Sequence, residues 1–341
     1  MNNILETLIN ASEKAACVAR SCCAGPHNEE LLVAEKLAEE ANERFEHDFK
    51  TLADVVAQEA ARCEIASCFP DLAKHVRGEE CTEIDGVRIS LQDSKEETAE
   101  LLRQIVAPVV AARMAEAAHC STLHGFSDKL PNNLSNIDTS DLGVWIDPID
   151  ATAEFIAGVR GEADADRGLL CVTVLIGAYR RSTGEPVIGV INQPFYDNGR
   201  GRVVWGVNYG DIHEWGGSNA VEQNHVMLMS GAEKPEIAAK FKNVGWEVKA
   251  VPGAGHKLLK VVLGEAAAYI VSQGTTYRWD TCAPHAILRA KGGDVLCYKP
   301  HTPVTYNVAT GINPSYYRNS EGIIAFNNPS ILEEIKNVLC E

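Results

Sequence analysis

The sequence predicts an α+β fold in two parts, and three observations predict it. Apolar side chains recur at helical spacing through the N-terminal region, β-branched runs dominate the middle, and strands and helices alternate from about Ser230 onward. At roughly 150 residues per domain, 341 residues make about two domains. The change of pattern near residue 195 sets the expected boundary, with an α+β part over 1–195 and an α/β part over 196–341.

Each element follows from local chemistry. Ile4, Leu5, Leu8 and Ile9 share a helical face, and Gly25-Pro26 breaks that first helix. Leu31, Leu32, Ala34, Leu37 and Ala38 repeat the spacing and predict a second helix, and residues 51–63 predict a third. Asp85-Gly86 supplies a hairpin turn inside residues 81–93. Ser94 with Glu97 three residues on makes a capping box that opens a long helix, which Pro108 kinks or divides. Residues 124–142 are polar, contain Pro131, Asn132 and Asn133, and predict a surface loop. Residues 143–147 form a strand, and the runs 169–179 and 186–192 form a hairpin, with a further strand over 202–208. Beyond them, helices are expected over 233–244, 256–263, 279–290 and 330–339. Strands are expected over 248–251, 267–271, 295–298 and 322–326. No internal repeat or low-complexity segment interrupts this order.

Composition excludes several classes of function. Hydrophobic residues make up 45% and charged residues 23%, the balance of a globular chain that can bury a core. With 31 Lys+Arg against 47 Asp+Glu the net charge is −16. That argues against nucleic-acid polymers and anionic membranes as partners, since both need a basic surface. No apolar run approaches the ~18 residues of a spanning helix, and the N-terminus lacks an apolar signal core. The 11 cysteines are scattered and odd in number, which reads as reduced thiols in a cytoplasmic protein rather than a disulfide frame or a zinc site.

The most informative segment is Trp145-Ile-Asp-Pro-Ile-Asp-Ala-Thr-Ala-Glu-Phe-Ile-Ala-Gly158. An apolar strand ends in Asp147, where Pro148 stops it, and Asp150 precedes a short helix opened by Ala151 and Thr152 and ended by Gly158. Two carboxylates three residues apart thus meet the amides of a helix start. Hard divalent cations take oxygen ligands and helix starts favour anions, so the pair suits a metal beside a phosphate. Alone it would equally suit a cap and a turn. Three other segments add weight. Gly78-Glu79-Glu80 carries adjacent carboxylates, which alone would read as an exposed turn. Trp279-Asp280 opens a helix, which alone would read as a cap. Asp54 lies on an apolar helix face among Leu52, Val55 and Val56, where an unpartnered charge is costly.

These four segments in this order resemble the signature D…EE…DP[IL]D[SGA]T…WDxxAxxAI of the lithium-sensitive, magnesium-dependent superfamily of inositol monophosphatase and fructose-1,6-bisphosphatase. The stretches KTLADVVAQE, EETAELL, CVTVLIGAY, VIGVINQPF, PGAGHKLLKVV and GTTYRWDTCAPHAILRAKGG resemble the branch that acts on inositol polyphosphates. The resemblance spans roughly residues 1–300 and weakens after Gly293. It implies a layered αβαβα sandwich. It also implies an enzyme that removes the 1-phosphate from inositol 1,4-bisphosphate or inositol 1,3,4-trisphosphate, with two or three Mg²⁺ ions and with Li⁺ as inhibitor. The alternative within the superfamily is a 3′(2′),5′-bisphosphate nucleotidase acting on adenosine 3′,5′-bisphosphate.

Carried over position by position, the resemblance implies Glu79, Glu80, Asp147, the Ile149 carbonyl, Asp150 and Asp280 as metal ligands. Asp54 and Thr152 would activate water. Asp150, Ala151, Thr152, Ser230, Gly253, His256 and Lys257 would hold substrate, with Lys257 on a second phosphate. The chain departs from the commoner residues at Ala151 for Ser or Gly, His256 for Tyr and Arg278 for Lys, which bears on substrate preference. The implied partner is a small phosphorylated molecule, and the implied state a monomer or homodimer. A scaffold with a vestigial site would not retain every acid, and a calcium loop would need acids at alternate positions. Cys282 and His285, three residues apart, read as a packed interior pair. Gly253-Ala-Gly255 is too short for a dinucleotide fingerprint and suits close approach of backbone to a ligand.

Overall fold

The computed structural model describes residues 3–23, 31–36, 48–120, 130–131, 134, 137–217, 225–307 and 314–340. The chain opens with α1 (Ile4–Ser21), whose Asn3 side chain accepts the Leu5 N–H as a cap. Residues 31–36 are not helical. Val33–Glu35 is strand β1, paired antiparallel with β2 (Phe49–Thr51), so strand pairing overrides the apolar spacing that predicted a second helix. Leu37, Ala38 and the Gly25-Pro26 break lie outside the described residues. The third expected helix is α2 (Leu52–Cys68), opened by a capping box between Thr51 and Asp54.

Strand β3 (Val76–Gly78) was not expected from the sequence. The hairpin β4 (Glu83–Ile84) and β5 (Val87–Arg88) turns through Asp85 and Gly86, both at positive φ. The Ser94–Glu97 capping box opens α3 (Lys95–Leu102), and Pro108 starts a separate helix, α4 (Pro108–Ala118). Of the expected loop over 124–142, residues 124–129, 132–133 and 135–136 lie outside the described residues. The chain enters β6 (Leu142–Asp150) through a short 3₁₀ turn.

Two expectations at the central motif need correction. Pro148 does not stop the strand: β6 continues to Asp150 through a register shift between Asp147 and Asp150, which leaves the proline without a ladder bond to make. Helix α5 (Thr152–Arg160) runs past Gly158 to Gly161, which takes the left-handed conformation. Gly158 is small for packing, because a Cβ there would meet Leu169.

The hairpin β7 (Thr173–Arg180) and β8 (Pro186–Gln193) follows, then the irregular turn α6 (Tyr196–Gly199), β9 (Arg202–Tyr209) and β10 (Ile212–Gly216). One six-stranded sheet results, in the order β10-β9-β8-β7-β6-β3, antiparallel except for β3 beside β6. It runs past the boundary expected at residue 195, since β9 pairs with β8 and β10 with β9. The β-branched pattern breaks at the turn after Phe195 but the ladder resumes beyond it. The second sheet starts with β11 (Val226–Met229), also not expected. It adds α7 (Pro235–Asn243), β12 (Glu247–Ala250), α8 (Ala254–Val262), β13 (Ala268–Val271), α9 (Arg278–Ala290), β14 (Asp294–Cys297), β15 (Ile323–Phe326) and α10 (Pro329–Cys340). Its strand order is β12-β11-β13-β15-β14.

Three apolar layers hold these sheets together. α1, α2 and α4 cover one face of the first sheet. α8 and α9 fill the space between the two sheets, and α7 and α10 cover the far face of the second. The expected αβαβα layering is therefore present. Strand alternation decides which side each β6 residue serves: Val144 and Ile146 join the first core, while Trp145 joins the second and Asp147 points the same way as Trp145. Among the described residues no helix is long and apolar enough to cross a membrane.

Candidate active site

Three elements bring the acids together. Asp147 and Asp150 end β6, and Asp280 sits in the first turn of α9. Their carboxylate oxygens lie within 4.8 Å of one another, and all three residues are buried. Glu79 arrives beside them because β3 runs parallel to β6, with Gly78 opposite Ile146 and the Glu79 amide donating to the Ile146 carbonyl at 3.1 Å. An aromatic cluster fixes the two carriers against each other: the Trp145 ring lies 6.0 Å from Trp279, which stacks on Tyr277 at 4.6 Å.

Hydrogen bonds orient the carboxylates. Asp280 accepts the Tyr277 amide at 2.5 Å. Asp150 accepts the Gly255 amide at 3.1 Å from the start of α8 and the Thr173 hydroxyl at 3.3 Å. Asp147 Oδ1 is buried with no hydrogen-bond partner. Burial, then Glu79, Asp150 and Asp280, push Asp147 well above the usual carboxylate range, and burial with Asp150 does the same to Asp280. Burial raises Asp150 to about 6. Clustered acids that repel each other this way, with an orphaned oxygen among them, fit a divalent cation.

Glu79 and Glu80 share a cation from the protein itself. Lys36 Nζ lies 2.5 Å from Glu79 and 2.9 Å from Glu80; burial opposes its charge, but the two carboxylates outweigh burial and hold it protonated. Gln58 grips the Glu80 backbone from both sides, donating to its carbonyl at 2.6 Å and accepting its amide at 2.9 Å. Glu79 lines the cavity, whereas Glu80 is buried behind it.

Asp54 also stands behind the cavity wall. Its Oδ2 accepts the Thr51 amide and hydroxyl at 2.7 and 2.6 Å, and its Oδ1 accepts the Thr152 hydroxyl at 3.4 Å. Burial raises its carboxyl to about 6. Thr152 itself lines the cavity. Ala151 precedes it at φ 69°, ψ 48°, a left-handed conformation unusual for a residue with a Cβ, and this bends the strand end into α5.

The cavity has a volume of about 1160 Å³ and takes in Glu79, Asp147, Ile149, Asp150, Ala151, Thr152, Ser230, Gly253, His256, Lys257 and Asp280. Eleven expected site residues therefore meet in one place. Asp54 and Glu80 touch it only through Thr152 and Glu79, and Arg278 lies beneath Tyr306 instead of on the wall. Burial lowers His256 to about 4, so its imidazole is neutral, and its Nδ1 is buried with no hydrogen-bond partner. Lys257 Nζ donates to the Val251 and Gly253 carbonyls at 3.0 and 2.6 Å, which fixes the loop before α8. Ser230 Oγ accepts the Ala232 amide at 3.2 Å.

Sequence reasoning gave no role to Lys36, Gln58 and Thr173, although Gln58 and Thr173 lie in the stretches KTLADVVAQE and CVTVLIGAY. It also gave no site role to Arg167, Lys249 or Lys260 on the cavity wall, each paired with a carboxylate: Glu154, Glu247 and Glu265 respectively. No spacing marks Arg167 or Lys249 in the sequence, and Lys260 stands in PGAGHKLLKVV one turn beyond Lys257. The interior pair read from Cys282 and His285 is buried, and His285 bonds Tyr306 and Asp294 at 2.9 and 2.6 Å, away from the cavity.

Comparison with known proteins agrees with this geometry. The profile of the inositol monophosphatase family matches residues 5–331. Inositol polyphosphate 1-phosphatase of Mus musculus is 38% identical over 335 residues, covering 88% of this chain and 84% of that protein. 3′(2′),5′-bisphosphate nucleotidase 1 of Homo sapiens is 30% identical over 311 residues, covering 86% of this chain and 85% of that protein. The crystal structure of the extragenic suppressor protein suhB from Bartonella henselae has the same fold, with a TM-score of 0.58 at 16% identity over 99% of this chain and 98% of that one.

Proposed function

Since the chain belongs to the inositol monophosphatase family, we propose that it is a Mg²⁺-dependent phosphomonoesterase that removes the 1-phosphate from inositol 1,4-bisphosphate and inositol 1,3,4-trisphosphate. The observation that carries this reading is the convergence of Asp147, Asp150 and Asp280 within 4.8 Å, beside Glu79 and the Ala151–Thr152 turn in one cavity. The 38% identity to an inositol polyphosphate 1-phosphatase favours an inositol phosphate over the adenosine bisphosphate of the more distant nucleotidase.

Glu79, Asp147, Asp150, Asp280 and the Ile149 carbonyl would hold Mg²⁺, with Glu80 bearing on a further ion through Glu79. Bound there, the cations supply Lewis-acid charge that lowers the pKa of an attacking water and neutralises the phosphoryl oxygens. The rest of the work belongs to the chain. The Thr152 hydroxyl lies 3.2 Å from the Ile149 carbonyl and 3.4 Å from Asp54 Oδ1; with that carbonyl turned to a metal ion, its proton would go to Asp54 and leave the Thr152 oxygen lone pair to accept from water. A carboxyl raised to about 6 suits Asp54 to take that proton near neutral pH. The amides of Ala151 and Thr152, turned by the left-handed Ala151, hold the phosphoryl oxygens. Phosphoryl transfer needs positioning and charge neutralisation more than a covalent nucleophile, which suits a site of acids.

Substrate recognition follows from the cavity wall. Gly253 lets the loop before α8 approach, while His256, Lys257 and Ser230 line the space beside it. The neutral His256 ring suits a ring hydroxyl, and Lys257 with Arg167, Lys249 and Lys260 suits the remaining phosphates. Lithium would inhibit by replacing Mg²⁺. A phosphate-release panel tests the reading: inositol 1,4-bisphosphate, inositol 1,3,4-trisphosphate, inositol 1-phosphate and adenosine 3′,5′-bisphosphate, each with Mg²⁺ and with chelator. Preferred turnover of the two inositol polyphosphates with Mg²⁺ is expected. Preference for adenosine 3′,5′-bisphosphate would assign the chain to the nucleotidase activity, and turnover in chelator would refute the metal reading.

A further inference from the structure

Beside the acidic segment stands a lysine–cysteine pair that hydrolysis does not use. Lys50, on β2, is buried, and its Nζ lies 2.8 Å from the Sγ of Cys81, the residue directly after Glu80. Cys81 is half-buried, and its sulfur contacts the Glu83 carbonyl on the exposed side of the segment. Its thiol proton is directed to the Glu83 carbonyl at 3.3 Å, which leaves the sulfur lone pairs facing the ammonium. Both partners sit on hydrogen-bonded backbone. Lys50 opposes Ala34 in the β1–β2 ladder and precedes Thr51, and the Gln58 side chain clamps the residue before Cys81.

We propose that Lys50 and Cys81 form a peroxide-sensitive crosslink, a single oxygen bridging the lysine nitrogen and the cysteine sulfur, that switches the neighbouring site off reversibly. The separation favours this product over others on the oxidation ladder. One inserted oxygen spans close to the observed nitrogen–sulfur distance, whereas a direct nitrogen–sulfur bond would need the two atoms to close by about an ångström. The balance is as follows. A first peroxide oxidises the thiol to a sulfenic acid and leaves as water. A second removes the two electrons needed to join the sulfenic oxygen to the lysine nitrogen. One thiol and one amine with two hydrogen peroxides thus give the S–O–N link and three waters. The ammonium releases its extra proton to solvent.

The consequence follows from position. The link removes a positive charge beside the Glu79–Glu80 segment and ties that segment covalently to the strand that leads into Thr51 and Asp54. Both the metal-holding acids and the water-activating acid then lose freedom to adjust. A dithiol reductant restores the starting pair.

Full-length protein treated with hydrogen peroxide and digested without reductant tests this by peptide mass spectrometry, a readout that needs no substrate and so stands apart from the hydrolase reading. The expected product is one joined peptide pair, through Lys50 and Cys81, heavier than the two peptides by one oxygen and lighter by two hydrogens. It should disappear with dithiothreitol and in Cys81→Ser and Lys50→Arg. Oxidised wild type should lose most of its phosphate release and regain it with dithiothreitol, while Cys81→Ser keeps its rate in peroxide. Oxidation of Cys81 to sulfinic or sulfonic acid with Lys50 still cut by trypsin would overturn the crosslink. A formed link with unchanged turnover would overturn the switch.

Discussion

Asp150 serves two ends at once, since its carboxylate faces the other acids and also takes the Gly255 amide and the Thr173 hydroxyl. Asp150→Asn keeps the shape and removes the charge, so kcat should fall by at least ~10²-fold, the scale of losing one electrostatic stabiliser; steady-state kinetics with saturating Mg²⁺ would show it. The titration of Asp150 and Asp54 sets a second expectation. Burial raises both carboxyls to about 6 from the ordinary value of 3.8. A raised acid favours the fold in its neutral form, so its contribution is complete below pH 3.8 and is lost as pH rises through about 6. Metal ligands must be deprotonated to bind, so Mg²⁺ should restore what the rise in pH removes. Thermal denaturation with chelator and with Mg²⁺ at about pH 5 and about pH 7.5 should give the larger Mg²⁺-induced rise in Tm at the higher pH. Equal rises would mean that these acids do not hold the ion. The acids themselves were legible in the sequence because each stands in a motif. Lys36 and Gln58 were not, because their importance comes from a fold that brings residue 36 to Glu79 and residue 58 to Glu80.

Helix α9 carries Asp280, and its distance from the first sheet depends on a row of glycines. Gly177, Gly189 and Gly206 are cross-strand neighbours on β7, β8 and β9. A Cβ on Gly177 would lie 2.5 Å from the Ala283 amide nitrogen, on Gly189 2.0 Å from the Ala283 carbonyl oxygen, and on Gly206 2.8 Å from the Ile287 Cα. These are backbone contacts, so the helix must move for any side chain to fit. Gly189→Ala should therefore cost about 1–3 kcal/mol of stability by overpacking. It should also raise the Mg²⁺ concentration needed for half-maximal rate, since Asp280 moves with the helix. A lowered Tm with an unchanged Mg²⁺ requirement would separate the packing role from the site. Helix and strand periodicity announced α9 and the three strands, but nothing in the sequence marks three glycines far apart in the chain as one groove. At β1 periodicity misled, because apolar spacing in a short segment fits a helix as well as a strand and the pairing with β2 decided the outcome. At Pro148 the local rule failed for a related reason: a bulge lets the strand pass the proline and set Asp150 beside Asp147.

The whole molecule sets two sheets around a shared helical layer, with the acids where the first sheet, α8 and α9 meet. Alternation of strands and helices after residue 230 made the second sheet legible, whereas the extent of the first did not show, because the turn at Tyr196–Gly199 looks like a boundary and the ladder continues through it. The net charge of −16 argues against polyanionic partners, yet the cavity collects Arg167, Lys249, Lys257 and Lys260. Acids outnumber these cations in the lining, so a small polyphosphorylated substrate would need bound divalent cations as well as these four side chains. The central claim is that acids from separate segments form one divalent-cation site. Anomalous diffraction from crystals soaked in Mn²⁺, a stand-in for Mg²⁺ with the same preference for oxygen ligands, tests it most directly. Density should appear between Asp147, Asp150 and Asp280, within reach of Glu79 and the Ile149 carbonyl. Mn²⁺ bound elsewhere, with that space empty in an enzyme that still turns over, would contradict it.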